Sequence, residues 1–290
     1  MSTETGKRAA TAAASSVRSN DEMERSEKNG RRAGAHRVLV CFTGSVASVK
    51  AYEVVDGFLD GTNRSLDDTI VGVPLPFDVR VIVTDVAKRF VDVEELRRRI
   101  KTRYAAFRAA AGSAAYAERF PDGHPPDEPF VYTDDTEWRE WRKVGDPVTH
   151  IELRKWADAL VVAPLSANTL AKMANGLCDN LLTCVWRAWD FAHPEKAVFV
   201  APAMNTAMWN SPFTGKHLAA LSEFPNVRVI DPVEKTLACG DTGIGAMASP
   251  RTIVLAVCAF PRREGQKARG HRRRASRVRG VRGGRLGVRD

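Results

Sequence analysis

The residues that could do chemistry fall at turns that follow apolar runs. Gly44 and Ser45 come directly after the run at residues 36–42 (HRVLVCF), and Ser166, Asn168 and Thr169 come after residues 159–163 (ALVVA). Serine or threonine at the start of a helix caps it, and the free backbone N–H groups there can receive an anion or a polar ring edge. Glycine at position 44 lets the backbone approach a ligand closely. Thr84 ends a third apolar run, residues 78–84 (DVRVIVT), in the same relative place as Ser45. Asn205 ends a fourth, in the motif PAMN. A strand-end asparagine is ordinarily a turn former or cap; the functional alternative is a carboxamide that clamps a carboxylate. His150 opens a helical pattern, where a single histidine is more often a structural hydrogen-bonder than a proton carrier. Cys239 stands beside glycine in LACGDTGIGAMASP, within reach of a ligand, with no local sign of a lowered pKa. Met208, next to Trp209, would ordinarily be packing. None of these decides a function alone.

The elements that position them alternate. Buried strands are expected at residues 36–42, 78–84, 130–133, 159–163, 197–201 and 226–230, with Pro164 stopping the fourth. Helical patterns follow at residues 48–59, from 87, 94–118, 136–141, from 150, after 169 and 251–260. Near-continuous apolar strands alternating with helices predict a mainly parallel sheet covered on both faces, a Rossmann-like or flavodoxin-like three-layer α/β sandwich in one domain. In such a sheet the carboxyl ends of the strands converge, so one shared ligand site accounts for all the polar turns. Residues 237–250 read as irregular.

The domain is expected at residues 35–260, with insertions at about 60–77 and 101–129, of which residues 60–77 and 120–129 read as surface loops. Residues 1–34 and 261–290 carry few large apolar side chains and read as disordered. The formal charge of +9 comes from the arginine-rich tail, and the remainder is close to neutral. That places non-specific, salt-sensitive contact with polyanions in the tail and gives no basis for a specific nucleic-acid interface. No apolar run is long enough to cross a membrane. Five cysteines, no metal-ligand spacing among them and no signal peptide predict reduced thiols in the cytoplasm, with all but Cys239 as small core residues. No metal site is expected.

Several motifs together resemble the flavin-dependent (homo-oligomeric flavin-containing) cysteine decarboxylase family: GSVA at 44–47, HIELRKWAD at 150–158, PLSANT at 164–169, GLCDNLLTC at 176–184, PAMNTAMW at 202–209 and the glycine-rich flap at 237–248. The resemblance covers residues 36–60, 78–92 and 130–260. It implies FMN held by Gly44, Ser45, Val46, Thr84, Ser166, Ala167, Asn168, Thr169 and Ala203. It further implies His150 and Cys239 as catalytic groups, Asn205 and Met208 against the substrate, and active sites at the interfaces of a homotrimer. The implied substrate is 4'-phosphopantothenoylcysteine and the implied pathway is coenzyme A biosynthesis.

The chemistry shows why such parts are needed. Direct loss of carbon dioxide from the cysteine unit would leave an unstabilised carbanion. Oxidation of the thiol-bearing carbon to a thioaldehyde puts the carboxylate β to C=S, so decarboxylation gives a delocalised enethiolate, which a hydride and a proton then saturate. Departures from the family pattern lie at the flap positions Thr242, Ile244 and Ser249. The competing reading is a catalytically reduced regulatory subunit of the same fold that inhibits a protein phosphatase; retention of His150, Asn205 and Cys239 and a basic tail speak against it. Other flavin enzymes of this fold, prenyltransferases and peptide cysteine decarboxylases, would not need the Cys239 flap.

Overall fold

The computed structural model describes residues 36–60, 77–120, 123–124, 128–236 and 242–260. Six strands form one parallel sheet: β1 Arg37–Phe42, β2 Asp78–Val83, β3 Val131–Thr133, β4 Ala159–Leu165, β5 Ala197–Pro202 and β6 Val227–Val229. Their order is β3-β2-β1-β4-β5-β6. The order reverses between β1 and β4, and an open α/β sheet binds its ligand in the crevice outside such a switch point.

Side-chain alternation along each strand sends successive residues to opposite faces, which builds two cores. Val38, Val40 and Phe42 of β1, with Val161 and Ala163 of β4, face one side. There they meet helices α1 Ala51–Leu59, α2 Val93–Arg119 and, further along the chain, α9 Pro250–Cys258, through Val54, Phe58, Leu96, Ile100 and Ile253. Leu39 and Cys41 of β1, with Leu160 and Val162 of β4, face the other. That side is covered by α4 Thr149–Trp156, α5 Ala167–Ala174, α6 Leu181–Arg187 and α8 Pro212–Ser222. Two short helices complete the set: α3 Asp134–Glu140, directly after β3, and α7 Thr206–Trp209, after β5. The predicted three-layer α/β sandwich is the observed one.

Several local expectations are corrected. Pro164 does not stop β4, which runs on to Leu165; the ladder to β5 shifts register between Val162 and Leu165, absorbing the residue that lacks an N–H. The helix expected from residue 48 begins as a 3-10 turn at Val46–Lys50 before α1, and the one expected from residue 87 is only a 3-10 turn, Ala87–Arg89. Residues 242–246 are not irregular: they form β8 Thr242–Ala246, antiparallel to β7 Val233–Thr236. The helix expected at 94–118 is observed as α2, which takes up residues 101–119 of the segment placed at 101–129, although Gly112 breaks its helical geometry. At the end of that segment Phe120 is buried, and His124 is bonded to Tyr116 (2.5 Å) and to Asp78 (2.9 Å). The expectations for residues 1–34, most of 60–77 and 261–290 lie outside the described residues.

Candidate active site

At the carboxyl edge of the sheet, short polar links tie the turns together. Thr43, buried, donates from Oγ1 to the Pro164 carbonyl (2.7 Å) and accepts from the Ser166 N–H (2.9 Å), joining the turn after β1 to the turn after β4. Ser45 and Ser166 cap the helical turns that follow, accepting from Ala47 N–H (3.4 Å) and Thr169 N–H (3.3 Å). Ser166 also donates to Thr169 Oγ1 (3.1 Å). Ala203 N–H donates to the Leu165 carbonyl (3.0 Å), and Met204 N–H to the Gly245 carbonyl (2.9 Å), which brings β5's end and the β7–β8 hairpin to the same edge. Thr84 donates to the Phe42 carbonyl (3.2 Å), closing the turn after β2 against β1.

Gly44 is required where these turns meet: a Cβ there would lie 2.6 Å from Val86 Cγ1. Val46, Val49 and Val86 are about half exposed around this point, beside the capped helix starts, while Gly44 and Asn168 are also exposed. Apolar side chains left open next to free backbone N–H groups suit a flat aromatic ring carrying a phosphate. Gly245 has φ +147°, and a Cβ there would come 2.3 Å from the Met204 carbonyl, so the hairpin lies directly on the PAMN turn. Asn205 caps α7 by accepting from Ala207 N–H (2.8 Å), so the local role expected of a strand-end asparagine is filled. Next to it Thr206 Oγ1 is buried under the β8 hairpin at Gly243 and, among the described residues, has no hydrogen-bond partner. Met208 is 49% exposed. Cys239 lies outside the described residues.

His150 belongs to a second group. Crossover helix α4 runs against the strand direction, so its first residues return to the carboxyl edge. There His150 Nδ1 makes a hydrogen bond to Glu137 Oε1 on α3. Cys184 of α6 completes the group: one ligating atom from each of Glu137, His150 and Cys184 lies within 4.8 Å of the others. Such a trio could hold a soft divalent cation, although the carboxylate and imidazole already satisfy each other. Burial first, then the Glu137 charge, pushes the Cys184 thiol up to about 11, so it is a neutral thiol at ordinary pH. Asp134 joins this group to the rest of the edge, accepting from Asp85 N–H (3.1 Å) and Leu181 N–H (3.0 Å). Burial raises its pKa against the lowering effect of those two bonds.

Thus the structure gathers Gly44, Ser45, Val46, Thr84, Ser166, Thr169, Ala203 and Asn205 along one edge, whose turns are linked by hydrogen bonds, and joins His150 to Glu137, with Cys184 beside them. Glu137, Asp134 and Thr43 were missed in the sequence. Cys184 and Cys178 were misread as core: Cys178 is exposed and Cys184 faces the histidine.

Residues 26–261 match the family described as Flavoprotein. The chain belongs to that family. It is 44% identical over 234 residues to the phosphopantothenoylcysteine decarboxylase HAL3a of Glycine max, covering 81% of this chain and 88% of that one. It is 42% identical over 224 residues to the phosphopantothenoylcysteine decarboxylase of Mus musculus, covering 77% and 86%. Among solved structures it is similar to a cysteine-to-serine variant of a phosphopantothenoylcysteine decarboxylase complexed with pantothenoylaminoethenethiol, at 42% identity and TM-score 0.57 over 77% of this chain and 96% of that one. It is also similar to the FMN binding protein AtHal3, at 43% identity and TM-score 0.54 over 77% and 94%. The family resemblance drawn from the motifs is therefore borne out.

Proposed function

We propose that this chain is an FMN-dependent decarboxylase that converts 4'-phosphopantothenoylcysteine to 4'-phosphopantetheine, a step of coenzyme A biosynthesis. The observation that carries the reading is the edge of linked, capped turns with exposed valines in a chain 44% identical to a phosphopantothenoylcysteine decarboxylase over 81% of its length. The residues fit the cofactor. The capped starts at Ser45 and Ser166 offer N–H groups to its phosphate and ring edge. Gly44 and Val46, with Thr84, Ala167, Asn168, Thr169 and Ala203, would form the walls. FMN supplies reversible two-electron oxidation of the thiol-bearing carbon.

The chain's own groups do the rest. Asn205, with Met208 beside it, holds the substrate carboxylate in the orientation from which carbon dioxide leaves. His150 accepts the thiol proton as the carbon is oxidised. Cys239 returns a proton to the enethiolate when the hydride comes back, so that the product is the saturated thiol. The assembly we favour is a homotrimer in the cytoplasm, in which one protomer's His150 group meets another's flavin turns. Trp138, 80% exposed between Glu137 and Glu140, and Val144, 93% exposed just after them, leave apolar surface open there as an interface would require. Among the described residues no helix is long and apolar enough to cross a membrane.

The purified protein should be yellow, elute as a trimer by light scattering and release carbon dioxide from phosphopantothenoylcysteine. Cys239→Ser should still release carbon dioxide but accumulate the unsaturated enethiol. Saturated product at the normal rate from Cys239→Ser removes the acid assignment, and a colourless protein without carbon dioxide release removes the whole reading.

A further inference from the structure

Glu137 is a buried carboxylate whose hydrogen bond goes to a candidate reaction group. It is 8% exposed, on a helix fixed from several sides. Thr133 and Thr136 form a capping box at the start of α3, and Asp134 holds the backbone N–H groups of Asp85 and Leu181. Glu137 and Glu140 stand three residues apart, on one face of α3. Each meets a residue at the start of α4: Glu140 Oε2 accepts from Thr149 Oγ1 (3.0 Å), and Glu137 Oε1 meets His150 Nδ1. The Glu140–Thr149 bond already docks the two helices. A second tie made by burying a carboxylate is a costly way to gain docking strength, because a desolvated charge must first be compensated. What the Glu137 bond adds is control of one ring. An imidazole whose Nδ1–H donates to a carboxylate has its tautomer and plane fixed, and presents Nε2 as the acceptor.

We propose that Glu137 is the positioning residue for His150: its carboxylate accepts the Nδ1–H bond, leaving Nε2 as the atom that takes the substrate thiol proton. This deepens the decarboxylase reading and rests on it. The neighbouring Cys184 thiol, held neutral, fills the space beside the pair without competing as a base.

The test uses the flavin-loaded enzyme with Glu137→Ala, the near-isosteric Glu137→Gln in case the first fails to fold, Glu140→Ala as the docking control, and His150→Gln. Glu137→Ala should lower kcat roughly 10- to 100-fold, the range for loss of an outer-shell carboxylate behind a histidine, with KM and the flavin spectrum unchanged. Added formate should restore part of the rate. Glu140→Ala should keep kcat, and Glu137→Ala should cost nothing further in the His150→Gln background, since it acts only through that ring. Equal losses in Glu137→Ala and Glu140→Ala, losses that multiply with His150→Gln, or no response to formate would overturn the proposal in favour of simple docking. A readout independent of turnover is nitrogen NMR of labelled histidine, with His150 assigned by its absence in His150→Gln. It should show the Nδ1–H tautomer in the wild type and its loss in Glu137→Ala; an unchanged tautomer sinks the idea. If the wild type releases no carbon dioxide, the functional reading fails while the NMR result still judges Glu137.

Discussion

Replacing Gly44 by alanine tests whether the turns after β1 and β2 must close on each other to make the flavin cradle. The added methyl would sit 2.6 Å from Val86 Cγ1 and 3.0 Å from Val86 Cβ, against ordinary carbon contacts of about 3.5–4.0 Å. No rotation of Val86 removes the contact with its Cβ, so part of the strain must move the backbone of one turn. Overpacking of this kind costs about 1–3 kcal/mol. If the strain is relieved by separating the turns, it appears as lost flavin affinity, roughly 5- to 150-fold at 1.4 kcal/mol per factor of ten. Because Val86 is half exposed and both turns lie at the edge of the core, the melting temperature of the apo-protein should fall only a few degrees. The assay is flavin titration by fluorescence quenching, paired with thermal unfolding of the apo-protein. Val86→Ala removes Cγ1 but not Cβ, so the Gly44→Ala/Val86→Ala protein should recover much of the affinity without all of it. Wild-type flavin affinity in Gly44→Ala would refute the claim that these turns are held in contact. A loss that Val86→Ala does not relieve would show that the clash lies elsewhere.

Two further outcomes follow from buried groups. Tyr104 Oη accepts from the Val79 N–H (2.7 Å) and donates to Asp78 Oδ1 (3.3 Å), so Tyr104→Phe strands a buried strand N–H and should cost about 1–3 kcal/mol in urea unfolding; an unchanged midpoint would mean water replaces the hydroxyl. Cys184, held at about 11 by burial and by Glu137, should alkylate slowly at pH 8, its rate rising with pH up to that value, and Glu137→Gln should speed the reaction by removing a charge that opposes the thiolate. Rapid, pH-independent labelling of Cys184 in intact protein by mass spectrometry would contradict this.

The strands were legible because each carries its reason within itself. Residues 38–42, 159–163 and 197–201 are apolar on both faces, which only a strand covered on two sides can use, and the serines after two of them mark the caps. What failed depended on partners distant in sequence. Pro164 reads locally as a stop, but β5 tolerates the shifted register that carries β4 past it. Gly243 and Gly245 read as irregular because glycine weakens a strand; here they let β8 lie against Thr206 and Met204 more closely than any side chain would allow. His124 sits in a run of prolines and acids that reads as surface, yet Asp78 and Tyr116 draw it under cover. Glu137 in TEWREW reads only as part of a short helical pattern. Its one signal was the spacing to Glu140, two acids sharing a face, and that means nothing until α4 is placed against it.

The strand order also explains why the proposed turnover residues come in two groups. Adjacent strands lie about 4.8 Å apart, so the end of β3, which launches Glu137, is three strands and roughly 14 Å from the end of β4, which carries the Ser166 cap. Among the described residues no side-chain hydrogen bond spans that gap within one sheet edge. Residues 84–86 and Asp134 fill part of it, and they bond to each other rather than reaching across. A flat tricyclic ring lying over the ends of β1 and β4 would shorten the distance from one side; a neighbouring protomer presenting its own His150 would remove it. The second solution fits the chain better. His150 is only about a quarter exposed and fixed by Glu137, so it has little freedom to swing toward its own cradle, whereas the tryptophan-bearing helix beside it is open to a partner. On this reading the fold keeps base and cofactor apart within one chain, and assembly completes the site.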